Sequence, residues 1–351
     1  MIRILQGNCM ETLKTLESES INTCITSPPY WGLRNYNDEE KQLGMEDTPE
    51  EFVDNLVKVF REVKRVLRDD GTVWLNLGDS YSSGGRTTTT NQSLRGDKDY
   101  GVTRPKPSKG IKPKDLIGIP WRVALALQQD GWYLRQDIIW HKPNPMPESV
   151  KDRCTKAHEY IFLLSKNVKY YYDNEAIKED AKFPGGPTGA NAKKNKRSVW
   201  TITTKPFKGA HFATFPMDLI EPCVLAGCPE KICVDCGKPY ERVMQKPKQL
   251  EVKRGRRAGT DDRLIGGVLD KYTRENPPID LGLQKQCDCE TNETKAGTVL
   301  DPFGGSGTTA QVANDNRRDS ILCELSADYI EIAKKRLHGM FADVIVETTN
   351  D

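Results

Sequence analysis

Three groups of residues in this 351-residue chain have types and spacing that suit chemistry. The first is "TSPPYW" at 26–31, where Ser27, Pro28, Pro29 and Tyr30 follow an apolar run. Each proline lacks an amide hydrogen and holds φ near −65°, so the pair can neither extend a helix nor sit inside a central strand. It makes a rigid elbow at a strand end. The second is "VLDPFGGSGTT" at 299–309: a strand closing on an acidic residue, then a glycine-rich turn into a helix. Glycines let a ligand approach the backbone, and a helix start offers amides. The third is Cys233-x2-Cys236-Gly237, followed about fifty residues later by Cys287-x-Cys289. Four thiolates so spaced suit one tetrahedral zinc ion in a structural role, Gly237 allows the tight turn, and Cys228 could replace one ligand.

The glycine loop has no lysine, so it is not a phosphate loop of the Gly-Lys-Ser/Thr kind. Glu324, ending the next strand, is placed to accept from a ribose. Asp301, ahead of the glycines, suits a cationic amino group and would repel a pyrophosphate. S-adenosylmethionine carries such an amino group. Pro222-Cys223 is followed by valine rather than glutamine, and Cys223 reads as a helix-packing residue, not a nucleophile.

The elements that must position these residues alternate. Strands are expected at 2–5, 22–26 and 72–77, with helical stretches at 9–16, 49–67 and 116–129; "DDG" at 69–71 is expected to stop the long helix. "YLRQDIIW" and "EYIFLLS" suggest a late antiparallel pair. After 298 the alternation resumes, ending in a helix capped by Ser326. Strands alternating with helices imply a mostly parallel α/β sheet covered on both faces.

Together, "TSPPYW" and "DPFGGSGTT" resemble the motifs of the β-class DNA amino-methyltransferases, which methylate N4 of cytosine or N6 of adenine. "IIWHKPNPMPESVKDR", "SVWTITTKPFKGAHFATFP" and the order of the two motifs extend the resemblance over most of the chain. It implies a Rossmann-like methyltransferase fold, circularly permuted, with one antiparallel strand and inserted target-recognition and zinc-ribbon-like segments. It further implies S-adenosyl-L-methionine as cofactor, bound by Asn8, Asp301, Pro302, Phe303, Gly304, Gly305, Gly307, Thr308 and Glu324. Asn8 stands where the family prefers aspartate. The implied catalytic residues are Ser27, Pro28, Pro29 and Tyr30: hydroxyl and carbonyl accept the amine hydrogens, and Tyr30 stacks on a base flipped from the duplex. Serine before Pro-Pro leans toward cytosine N4; adenine N6 is the alternative, and an RNA or small-molecule methyltransferase or a noncatalytic DNA-binding module are more distant ones.

The implied domains are a catalytic half at 1–172 with a loop insertion at 80–114, a recognition segment at 173–212, a cofactor half at 213–227 and 298–340, and a basic insert at 228–297. DNA contacts are expected from Arg34, Lys193, Lys194, Lys196, Arg197, Arg254, Arg256 and Arg257, and from the basic loop at 80–114. With 52 basic and 50 acidic residues the net charge is +2, which excludes a strongly basic protein but not local patches. Met1 to Gly7 reads as a strand rather than a signal peptide, and no apolar run reaches the ~20 residues of a membrane span. The expected setting is therefore cytoplasmic, in a bacterial, archaeal or phage-encoded system, with the ten cysteines reduced. Duplex DNA is the expected partner, and a homodimer and a cognate restriction endonuclease are left open.

Overall fold

A computed structural model describes residues 1–32, 43–82, 111–180, 193–204, 215–245, 276, 278–337 and 343–348. Runs that are apolar on both faces become the inner strands, and amphipathic segments become their covering helices. The first half contains β1 (Ile2–Gln6), α1 (Cys9–Lys14), β2 (Ile21–Thr26), α2 (Pro49–Val66), β3 (Leu67–Leu77) and α3 (Ile119–Gln129). Next come β4 (Tyr133–His141), β5 (His158–Ser165), β6 (Glu179–Asp180), β7 (Lys193–Lys194), β8 (Val199–Thr201) and α4 (Met217–Gly227). The cysteine-bounded region holds β9 (Ile232–Cys233), β10 (Glu241–Gln245), β11 (Ile279–Gln284) and β12 (Thr294–Lys295). The chain then forms β13 (Thr298–Asp301), α5 (Thr308–Asp315), β14 (Asp319–Glu324), α6 (Ala327–Leu337) and β15 (Val344–Thr348).

Among the described residues the main sheet has nine strands, in the order β15-β1-β14-β13-β2-β3-β5-β4-β8. Only β5 is reversed, pairing antiparallel with β3 and β4. The expected parallel sheet with one antiparallel strand is therefore present. One face is covered by α1, α2 and α3, whose Leu13, Phe52, Leu56, Phe60, Val123 and Leu127 are fully buried. The other is covered by α4 and α5, packing Leu219, Val224 and Val312 against Ile25 and Trp74, with α6 laid over β1 and β14.

Three features differ from the sequence expectation. The "DDG" at 69–71 does not separate helix from strand: α2 ends at Val66, and Leu67, fully buried, begins β3 by pairing with Ile21. Burial of Leu67 outweighs the local turn preference, while Asp69 and Asp70 find Lys166 and Arg68 as ion partners. Residues 199–201, within the expected recognition segment, pair parallel with β4 and form the sheet edge. A C-terminal strand, β15, pairs with β1 and is fastened by a two-point bond from Arg3 to Glu347 at 2.8 and 2.9 Å.

Candidate active site

Strands β13 and β2 lie side by side at the centre of the sheet, paired at Val299↔Thr23 and Leu300↔Cys24. From β13 the chain crosses through α5 to β14 on one side; from β2 it crosses through α2 to β3 on the other. Such a reversal opens a crevice at the carboxyl ends of the strands, where ligands bind in open α/β sheets. Those ends carry Asp301 and the Ser27-Pro28-Pro29-Tyr30 elbow.

Side chains join the two motifs directly. The Asp301 carboxylate, 1% exposed, accepts from the Thr26 hydroxyl at 2.6 Å, the Thr309 hydroxyl at 2.6 Å and the Phe303 amide at 3.1 Å. Burial raises its pKa, and these three donors oppose that shift. Asp301 thus faces protein donors in the interior and ties the elbow to the glycine loop. Sequence reasoning missed both bonds: Thr26 lies 275 residues from Asp301, and Thr309, eight residues on, meets it only because the loop turns back.

The loop from Pro302 to Thr308 turns through Gly305 and Gly307, both with positive φ. Glu324 accepts from the Gly305 amide at 2.7 Å with one oxygen and from the Ser326 amide at 2.8 Å with the other. Burial raises its pKa, against those amides. A carboxylate oxygen has more than one lone pair, so both can still accept from a ribose. Behind the loop, Arg336 of α6 donates to the Ser306 and Thr308 hydroxyls at 3.2 and 2.7 Å, a buttress that sequence reasoning also missed. Phe303 is half-buried at the loop's edge. Asn8 caps α1, its side-chain oxygen accepting from the Met10 amide at 2.9 Å, so any cofactor contact shares that oxygen.

The two aromatics of the elbow part company. Trp31 is 4% exposed and donates its indole to the Glu46 carbonyl, a core role. Tyr30 is half-buried, and its hydroxyl donates to Glu159 of β5 at 2.8 Å. Ser27 is half-buried and Pro28 buried beside it.

Away from the crevice, the sulfurs of Cys233, Cys236, Cys287 and Cys289 lie within 4.8 Å of one another, close to the ~3.8 Å separation of four thiolates around zinc. β9 pairs with β12 to close the cluster, and Gly237 takes φ +68 where its amide returns to the Cys233 carbonyl. The Cys236 amide, foremost among several hydrogen bonds, draws the Cys233 thiol down to about 7, toward the thiolate a metal needs. The donor set fits zinc. Cys228 stands apart, buried under α4 with its thiol pushed up to about 12. All ten cysteines are unpaired thiols.

Of the expected DNA contacts, Lys193, Lys194, Lys196 and Arg197 lie among the described residues. Lys193 and Lys194 pair with Asp180 and Glu179 across the β6/β7 ladder, and Lys196 sits over the Trp200 ring at 5.0 Å. Arg197 lends its carbonyl to the Trp200 indole. Arg34, Arg254, Arg256, Arg257 and the loop at 83–110 lie outside the described residues.

A family model described as "DNA methylase", covering N6 and N4 methyltransferases, matches residues 21–236 and 288–335. The chain is 41% identical over 343 residues to the Type II methyltransferase M.Cfr9I of Citrobacter freundii, covering 97% of this chain and 89% of that protein. Its fold is similar to the cytosine-N4-specific PvuII DNA methyltransferase, with TM-score 0.55 and 18% identity over 97% and 86% of the two chains. It is also similar, over the whole of both chains, to a Thermus thermophilus chain described as a putative DNA modification methylase and solved with S-adenosyl-L-methionine, with TM-score 0.52 and 18% identity. Among the described residues no helix is long and apolar enough to cross a membrane. A crevice between a proline elbow and a glycine loop, on this strand order and with these relatives, places the chain in the N6/N4 DNA methylase family as an S-adenosylmethionine-dependent DNA methyltransferase.

Proposed function

We propose that the enzyme methylates the exocyclic N4 of cytosine in duplex DNA, by direct transfer to a flipped-out base. The observation that carries this reading is the bond from Thr26 to Asp301, which sets Ser27 and Pro28 beside the cofactor loop at the sheet's switch point. A ring-conjugated amine is a poor nucleophile until fixed oxygens accept its hydrogens and its nitrogen pyramidalises. The Ser27 hydroxyl and the Pro28 carbonyl are those acceptors, on a backbone that two prolines keep from relaxing. Tyr30 supplies the face on which the extruded base rests. When bound, S-adenosylmethionine supplies an electrophilic methyl group; Glu324 and the loop residues Pro302 to Thr308 hold it, and Asp301 keeps that loop in place. No cysteine nucleophile is required, in keeping with the burial of Cys223, whose thiol is shifted well upward.

Serine ahead of Pro-Pro supports cytosine over adenine. Cys233, Cys236, Cys287 and Cys289 hold a structural zinc that closes the base of the insert at 228–297 and takes no part in transfer. The Type II name of the Citrobacter relative supports a companion restriction endonuclease. The test is transfer of tritiated methyl to duplex DNA, single-stranded DNA and RNA, followed by nucleoside digestion. Label in N4-methylcytosine is expected from the duplex; label in N6-methyladenine refutes the base assignment, and no labelled DNA refutes the function.

A further inference from the structure

Stacking needs only an aromatic face, so the phenolic hydroxyl of Tyr30 calls for a separate explanation. It donates to a Glu159 oxygen at 2.8 Å, and that carboxylate also accepts from the Asn76 amide at 3.3 Å and from the Lys142 ammonium. Glu159 and Lys142 side chains are only 16% and 19% exposed. A carboxylate so sheltered is costly without partners, and here the partners come from three segments: the elbow after β2, strand β3, and the residue following β4. Lys142 is itself anchored, its ammonium 4.2 Å from the centre of the Trp140 ring. Asn76, 3% exposed, is fixed by a second bond to the Tyr160 carbonyl at 3.0 Å. Lys142 and Asn76 thus hold Glu159 from two sides, and Tyr30 meets it from the third.

The ring is constrained elsewhere as well. A Cβ placed on Gly78 would lie 2.5 Å from Tyr30 Cε2, so the backbone there touches the ring edge with no room for a methyl group. Pro29 fixes the chain just before it. Ring edge and backbone are thus held, and at the hydroxyl end Glu159 is the nearer acceptor at 2.8 Å, with the Asn76 side-chain oxygen at 3.5 Å.

We propose that Glu159 is a positioning residue: through the Tyr30 hydroxyl it fixes the stacking ring in the orientation that receives the flipped base, with Lys142 balancing its charge. The inference rests on Tyr30 as the stacking residue and predicts that Glu159 acts on turnover only where that hydroxyl is present. The experiment is a double-mutant cycle on the full chain, with methyl transfer to DNA that the wild type labels and S-adenosylmethionine affinity measured in parallel. Glu159→Ala is expected to lower kcat at least tenfold, and Glu159→Gln several-fold, in the wild-type background. In the Tyr30→Phe background each is expected to change kcat less than twofold, with cofactor affinity unchanged throughout. Equal losses in both backgrounds overturn the proposal. If the alanine variant does not melt cooperatively, the nearly isosteric Gln variant decides the cycle. Failure of the underlying reading shows separately: a Tyr30→Ala variant with wild-type kcat removes the stacking role, whatever the cycle gives.

Discussion

In the proposed mechanism Ser27 offers one hydroxyl to an amine whose second hydrogen goes to a backbone carbonyl that substitution cannot remove. Ser27→Ala is therefore expected to leave cofactor affinity unchanged while lowering single-turnover methyl transfer by about 10²-fold, the usual loss of one preorganised polar group. Full activity would eliminate the proposed acceptor. Asp301 is a different case, because its three partners are protein groups. Asp301→Ala strands two buried hydroxyls and an amide, and should cost about 2–4 kcal/mol, read as a lowered denaturation midpoint before any activity is assayed. Both residues were legible in the sequence; the protein partners of Asp301 were not. Asp301 has the chemistry of an amino-group ligand, and only the fold reveals that Thr26 and Thr309 engage it. Glu159 carried no signal at all, since "EYIFLLS" reads simply as a buried strand.

Among the elements, inner strands and long helices followed from apolar runs and periodicity, which are local properties. The edges did not: β8 and β15 are short, half-exposed stretches that become strands because β4 and β1 present unpaired edges to them. The cysteine clasp is as slight, since β9 and β12 share only two residue pairs, and the proposed zinc would hold them together. Removing metal with a strong chelator is expected to release four titratable thiols and lower the thermal midpoint, while most far-ultraviolet ellipticity from the main sheet persists. A preparation without stoichiometric zinc would defeat this reading. The segment between β4 and β5 has an electrostatic fastening, as Arg153 holds the Glu148 carboxyl below its usual range. Such a group stabilises the folded form above the ordinary carboxylate value of about 4.3 and loses that contribution as pH falls through its lowered one. Amide protection factors across 148–156, taken relative to the intrinsic exchange rate at each pH, should accordingly fall below about pH 4 and stay flat between pH 6 and 8.

For the whole molecule, the centre of the sheet joins residues 23–24 to 299–300. Pairings of that range cannot be read from windows of sequence, which is why strand order was accessible only through family resemblance. They also make the fold indivisible. A chain ending at Gly297 lacks β13, β14 and two helices that cover Ile2, Ile4 and Ile25. It is expected to lose its cooperative melt and bind apolar dyes; a truncated chain that melted sharply would contradict this. The bridge from Thr26 through Asp301 to Thr309 has a last consequence, since it runs from side chain to side chain and not along the polypeptide. The order of the two halves along a gene is then secondary to the site: a circularly permuted gene opened within the insert is expected to bring the same hydroxyls to the same carboxylate.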